Sequence, residues 1–252
     1  MISESFAVGN SMLHRLDPRL RVVFATVFSF FVALSKQFPT LVGALMISLI
    51  LICFSELDIW EVVKRLTVVN VFNLMIWLLL PFTYEGVPLF HLWFFSGSYE
   101  GVVLAAQITF KSNTILLAFI GLIATMSIAT LGHALNRIFI PAKIVYLLLM
   151  TYRYVTVIEQ EYQRLIIAAK VRGFLPKSNM HTYKTYAYMF GMLLVRAMAR
   201  AERVYQAMLC RGFKGKFYCI SEFSFTRLDW IWSAFLLIIV TILGVLEWMK
   251  IT

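Results

Sequence analysis

Charge is scarce in this sequence: Asp, Glu, Lys and Arg make up 14% of its 252 residues, where a soluble domain carries about 25%. That scarcity excludes an ordinary soluble domain. Cysteine is scarce too, and Cys53, Cys210 and Cys219 show no paired ligand spacing. The four histidines, His14, His91, His133 and His181, are scattered without companions, so no metal site is expected in this chain. Missing as well are an Asp-rich diphosphate motif, a His-Glu-x-x-His pair and a nucleophile elbow. Gly212-Phe213-Lys214-Gly215-Lys216 lacks the four-residue gap and the closing Ser or Thr of a phosphate-binding loop. No catalytic residue is therefore predicted, and the chain is expected to be non-enzymatic. Residues 1–21 carry three arginines, no apolar core and no small-residue cleavage site, so the first apolar span is expected to be retained.

What the chain has is hydrophobicity: 61% apolar residues and a mean hydropathy of +0.81. An all-α, polytopic membrane protein is expected, with about five transmembrane helices at 20–35, 39–55, 66–82, 101–126 and 228–248. Asp17 and Pro18 suit an N-cap and first helical position before the first span. Lys36-Gln37-Phe38-Pro39 separates it from the second, and a single re-entrant hairpin is the alternative for this pair. Glu56 to Arg65 reads as a charged connector, and Pro81 as a break near the end of the third span. Asn70 and Asn73 share one face of that span, where amides bond across to another helix more readily than they form a transport site. Thr83 to Glu100, without Lys or Arg and with Tyr84, Phe90, Trp93 and Tyr99, reads as an outside interfacial loop. Lys111 falls inside the fourth span, with either an interhelical or a mechanistic role.

The basic residues are concentrated in one place. From Arg137 to Lys216 there are 14 Lys and Arg against Glu159, Glu161 and Glu202. Positive segments stay in the cytoplasm, so the N-terminus and residues 127–227 are expected there, with 1–126 and 228–252 as the membrane parts. A further crossing near Ile138 to Thr151 is disfavoured by Lys143 and Arg153. Within the basic segment one pattern occurs twice: Arg164, Ala168, Arg172-Gly173-Phe174, then Arg203, Ala207, Arg211-Gly212-Phe213. The four-residue spacing puts each set on one helix face, with Gly where a helix stops. Lipid attraction needs only charge, whereas this order points to protein partners. Nucleic acid is an improbable partner for a chain held at a bilayer.

The segment Leu13 to Arg19, Pro141, Arg153 before a long amphipathic helix, and above all the two Arg-Gly motifs resemble the transmembrane coupling (T) component of energy-coupling factor transporters, CbiQ type. In that family the motif reads Ala-Arg-Gly; here Val171 and Cys210 take the first place. The resemblance implies two long cytoplasmic coupling helices that contact two ABC ATPases through Arg172, Gly173, Arg211 and Gly212, supported by Arg164, Ala168, Arg203 and Ala207. It also implies a separate metal-specific substrate-binding membrane subunit, a location in the cell inner (plasma) membrane, and ATP with Mg held by the ATPases, no cofactor being bound by this chain. Cobalt is the implied solute, with nickel or a vitamin as alternatives and a non-transport membrane scaffold as the reading of a different class.

Overall fold

The computed structural model describes residues 16–84, 88–92, 95–138, 140–215 and 227–248, without the side chains of 88–97 and 227–228. His14, Cys219, Lys216 and the side chains of Phe90, His91 and Trp93 fall outside the described residues. The helices are α1 (Pro18–Leu34), α2 (Phe38–Ser55), α3 (Ile59–Thr83), α4 (Tyr99–Phe119), α5 (Ile128–Arg137), α6 (Ala142–Val171), α7 (Met180–Cys210) and α8 (Arg227–Trp248). A five-residue π-helical turn, Ile120–Ala124, extends α4. Between α3 and α4, strands β1 (Pro88–Leu92) and β2 (Phe95–Ser98) pair antiparallel, Leu92 opposite Phe95. The described residues form two compact units, one of residues 16–138 with 227–248 and the other of residues 140–215.

In the first unit α1 packs against α4, α5 and α8. Its buried positions Arg21, Ala25, Phe28 and Val32 recur at three- and four-residue spacing, one stripe of the helix, while Phe30 and Leu34 are exposed. The stripe packs with Leu41, Ala44 and Leu51 of α2, Ala118 of α4, Leu122 of the π turn and Leu236 and Leu243 of α8. Asp17 caps α1 as expected, its Oδ1 accepting from Arg19 N at 2.9 Å. Gly101 lets α4 approach α3 closely, since a Cβ there would lie 2.9 Å from Leu80 O and Pro81 Cα.

Polar contacts orient α1 and α8. At one end Asp17 N donates to Asp229 Oδ1 at 3.0 Å. At the other, the Glu247 carboxylate accepts from Ser35 Oγ (2.6 Å), Lys36 N (2.8 Å) and Thr40 Oγ1 (2.6 Å). The two helices therefore run parallel, starting together and ending together. Asp17 and Ser35 are about 27 Å apart at 1.5 Å per residue, close to the roughly 30 Å of a hydrocarbon core. Among the described residues four helices are long and apolar enough to cross a membrane: α2, α3, Tyr99–Ala124 and Asp229–Trp248. α1, with 17 residues, is shorter than these four, and polar groups finish its two ends.

Two expectations are corrected. The charged connector ends at Asp58, because α3 begins at Ile59 and carries Lys64 and Arg65 within its first turns. Pro81 does not break the third span: α3 continues to Thr83, since a helix in an apolar setting tolerates the bond that a proline removes when neighbouring groups satisfy the freed carbonyl. The pair expected as two spans or one re-entrant hairpin consists of two helices, α1 and α2.

In the second unit α6 and α7 are antiparallel. Phe213, just past α7, meets Tyr146 near the start of α6 at 6.2 Å between ring centroids, and Phe174, just past α6, meets Tyr186 near the start of α7 at 5.7 Å.

Candidate functional site: the ends of α6 and α7

The two Arg-Gly ends have the same backbone geometry. Arg172 has φ −84° and ψ 15°, and Arg211 has φ −88° and ψ 10°. The glycines follow at φ +80° (Gly173) and +79° (Gly212), a left-handed conformation that a side chain disfavours. Phe174 N then donates to Ala169 O and Gly173 N to Lys170 O; Phe213 N donates to Met208 O and Gly212 N to Leu209 O. Both ends are thus closed by the same crossed pair of bonds that stops a helix and satisfies its last carbonyls. The phenylalanine turns inward and the arginine outward. Arg172, Gly173, Arg211 and Gly212 are exposed, as are Ala168 and Ala207 one turn earlier. Each exposed guanidinium sits at the negative pole of its helix, presenting a planar double donor suited to a carboxylate.

The motifs do not form one joint surface. Because the helices are antiparallel, the ends lie at opposite extremes of the hairpin, roughly 35 Å apart along it by helical rise. Beside the α6 end is an open groove of about 360 Å³ lined by Leu165, Ala168, Arg172, Phe174, Tyr188 and Met192, where apolar contacts flank the charged group.

The upstream arginines are placed differently from each other. Arg164 pairs with Glu161 at 3.1 Å, and Arg203 Nε donates to Ala199 O at 3.3 Å. Glu161 also receives Arg196 and Arg200 of α7, each at 3.2 Å. No motif marks Glu161 in the sequence. The available signals are that it is one of only three acids in the basic segment and that Arg196 and Arg200 are one helical turn apart.

Within the membrane unit Asn73 Nδ2 donates to Ser112 Oγ at 2.8 Å, and Asn113 Nδ2 to Asn70 Oδ1 at 3.0 Å. Trp77 Nε1 adds a bond to Thr109 Oγ1 at 2.8 Å. The asparagines thus form a polar seam between α3 and α4. Lys111 Nζ donates to Ala33 O at 2.8 Å, a carbonyl in the last turn of α1, and Gln107 Nε2 on the preceding turn of α4 takes Lys36 O at 2.9 Å. Lys111 therefore finishes the C-terminus of α1, where a cation is favoured. Arg21, likewise unmarked by any motif, is buried; its Nε donates to Leu122 O at 3.0 Å and its Nη2 to Thr125 Oγ1.

Comparison with known proteins shows the family of the chain. Residues 9–219 match the family described as CbiQ, cobalt transport protein. The energy-coupling factor transporter transmembrane protein EcfT of Brevibacillus brevis is 25% identical, covering 95% of each chain. The protein of the same name from Staphylococcus aureus is 23% identical over 88% of this chain and 85% of its own. That of Bacillus subtilis is 25% identical over 85% of each.

Proposed function

Because this chain belongs to the CbiQ family and is the transmembrane (T) component of an energy-coupling factor transporter, we propose that it transmits ATP-driven movement of two cytoplasmic ATPases to a separate metal-capturing membrane subunit, for Co2+ uptake. The observation that carries this reading is the pair of equal ends: two exposed arginines, each fixed by the same glycine-closed turn, offer one docking point to each ATPase. ATP and Mg belong to those ATPases, and solute selection belongs to the third subunit. Cobalt is taken from the description of the matched family. Deleting the chain in its host is expected to abolish high-affinity uptake of radiolabelled Co2+, and re-expression to restore it. Unchanged Co2+ uptake, or loss of nickel or vitamin uptake instead, would overturn the cobalt assignment.

The two Arg-Gly ends must face the cytoplasm for this role. Four crossings, α1 to α4, return the chain to the side where α1 began, and α8 leaves from that same end, as the contact of Asp17 with Asp229 requires. The 14 basic residues between Arg137 and Lys216 support a cytoplasmic location for that side. A cysteine at exposed Lys177, with native cysteines replaced by serine, is expected to resist a membrane-impermeant maleimide in intact cells and to react after permeabilisation. Labelling from outside would reverse the topology.

A further inference from the structure

We propose that Glu161 is a cross-brace that makes the two Arg-Gly ends move as one lever, a positioning role that rests on the coupling function proposed above. α6 and α7 have 30 and 31 residues, yet the buried side chains are Val145 in α6 and Thr182 and Met189 in α7. Helices normally hold their register by packing ridges of side chains into grooves. Beyond the ring contacts near the two ends, Tyr146 with Phe213 and Tyr186 with Phe174, little side-chain interlock holds the middle of the pair in register.

Glu161 supplies the fastening. Its Oε1 accepts from Arg164 at 3.1 Å and Arg200 at 3.2 Å, and its Oε2 from Arg196 at 3.2 Å. Arg164 belongs to the same helix and fixes the direction of the carboxylate, while Arg196 and Arg200 reach across from α7. Among the described residues no other ion pair joins these helices. Half-exposed ion pairs contribute little to stability; what such a cluster provides is register. Without the carboxylate, three guanidiniums would face one another and push the helices apart.

Its place along the hairpin suits a brace. Arg172 lies eleven residues beyond Glu161, and Arg211 eleven beyond Arg200, so each arm is about 16 Å long. A fastening midway passes a displacement of either end to the other, whereas one near either end would leave the far arm slack.

The test uses the assembled complex in proteoliposomes, with spin labels on Leu175→Cys and Lys214→Cys in a chain whose native cysteines are serine. Wild type is expected to give one narrow distance between the labels that shifts on ATP binding. Glu161→Gln should broaden that distance and remove the shift while the ATPases still co-purify, with uptake per ATP hydrolysed falling about tenfold. Arg196→Gln with Arg200→Gln, which cuts the brace from the α7 side, should give the same broadening. Glu161→Asp, which keeps the charge with a shorter reach, should fall between. A narrow, ATP-responsive distance in Glu161→Gln overturns the brace and leaves the docking role intact. Loss of the ATPases in that variant also overturns it, by making Glu161 a docking or folding residue. Failure of the docking role itself appears elsewhere, as ATPase retention after charge reversal at Arg172 and Arg211.

Discussion

The double variant Arg172→Glu, Arg211→Glu is expected to lose the ATPases altogether, while each single variant keeps a weakened association. A charge-assisted hydrogen bond from a guanidinium to a carboxylate contributes about 1.5–3 kcal/mol, which is roughly 10- to 150-fold in affinity. Reversal removes that bond and sets two like charges against each other. With two ends in play the second contact is held at high effective concentration by the first, so one intact end retains partial capture and the loss of both does not. The variants should still fold, because both helix ends are closed by backbone bonds and glycines at positive φ, and neither arginine side chain takes part in those bonds. Arg172→Lys should lie between wild type and Arg172→Glu, since an ammonium keeps the charge but not the planar fork. The measurement is the ATPase-to-T-subunit ratio after affinity purification at fixed salt, with helicity as the folding control. Full ATPase retention by the double variant would reject docking through these ends.

Features that rest on neighbours along the chain are legible in the sequence itself. Asp17 with Pro18 announces the start of α1, and the repeated Arg-Gly-Phe announces two equal helix ends, because caps and stops are made by residues a few positions apart. The asparagines at 70 and 73 are legible as cross-helix donors, since amides in apolar spans seek partners, though which helix they meet is not. Partners far apart in the chain leave no such trace. Glu247 meets Thr40 across 207 residues, and Arg21 meets Thr125 across 104. Lys111 has no acidic partner to betray its role; it bonds the Ala33 carbonyl, and every residue has a carbonyl. The early start of α3 at Ile59 is hidden for a related reason. Glu61, Lys64 and Arg65 read as loop when only apolar residues are taken to mark a span, yet charged residues are good helix formers at a membrane boundary.

The largest effect on stability is expected at Arg21. Arg21→Met should destabilise the membrane unit by about 2–3 kcal/mol, from the loss of two buried hydrogen bonds and of packing. The opposing argument is that a buried guanidinium is itself costly to desolvate, so that an apolar residue of similar volume in its place is sometimes neutral. The π-helical turn decides between them. Arg21 Nε donates to Leu122 O at 3.0 Å, a carbonyl whose other side-chain contact is the long one from Thr125 Oγ1 at 3.4 Å, and Thr125 Oγ1, which donates to Gly121 O at 3.0 Å, receives the second arm of the same guanidinium. Methionine fills the volume but donates nothing, so both acceptors stay buried and Leu122 O loses its long-range partner. Arg21→Lys should recover only part of the loss, because one ammonium on a flexible stem does not reproduce two donors in a fixed plane. Because the π turn is where the chain leaves α4 for α5, its loosening should also appear as faster hydrogen exchange at residues 120–127 than at the core of α2. Thermal unfolding in detergent reads the first effect and exchange the second; a melting temperature equal to wild type with unchanged exchange would show that the π turn holds without its arginine.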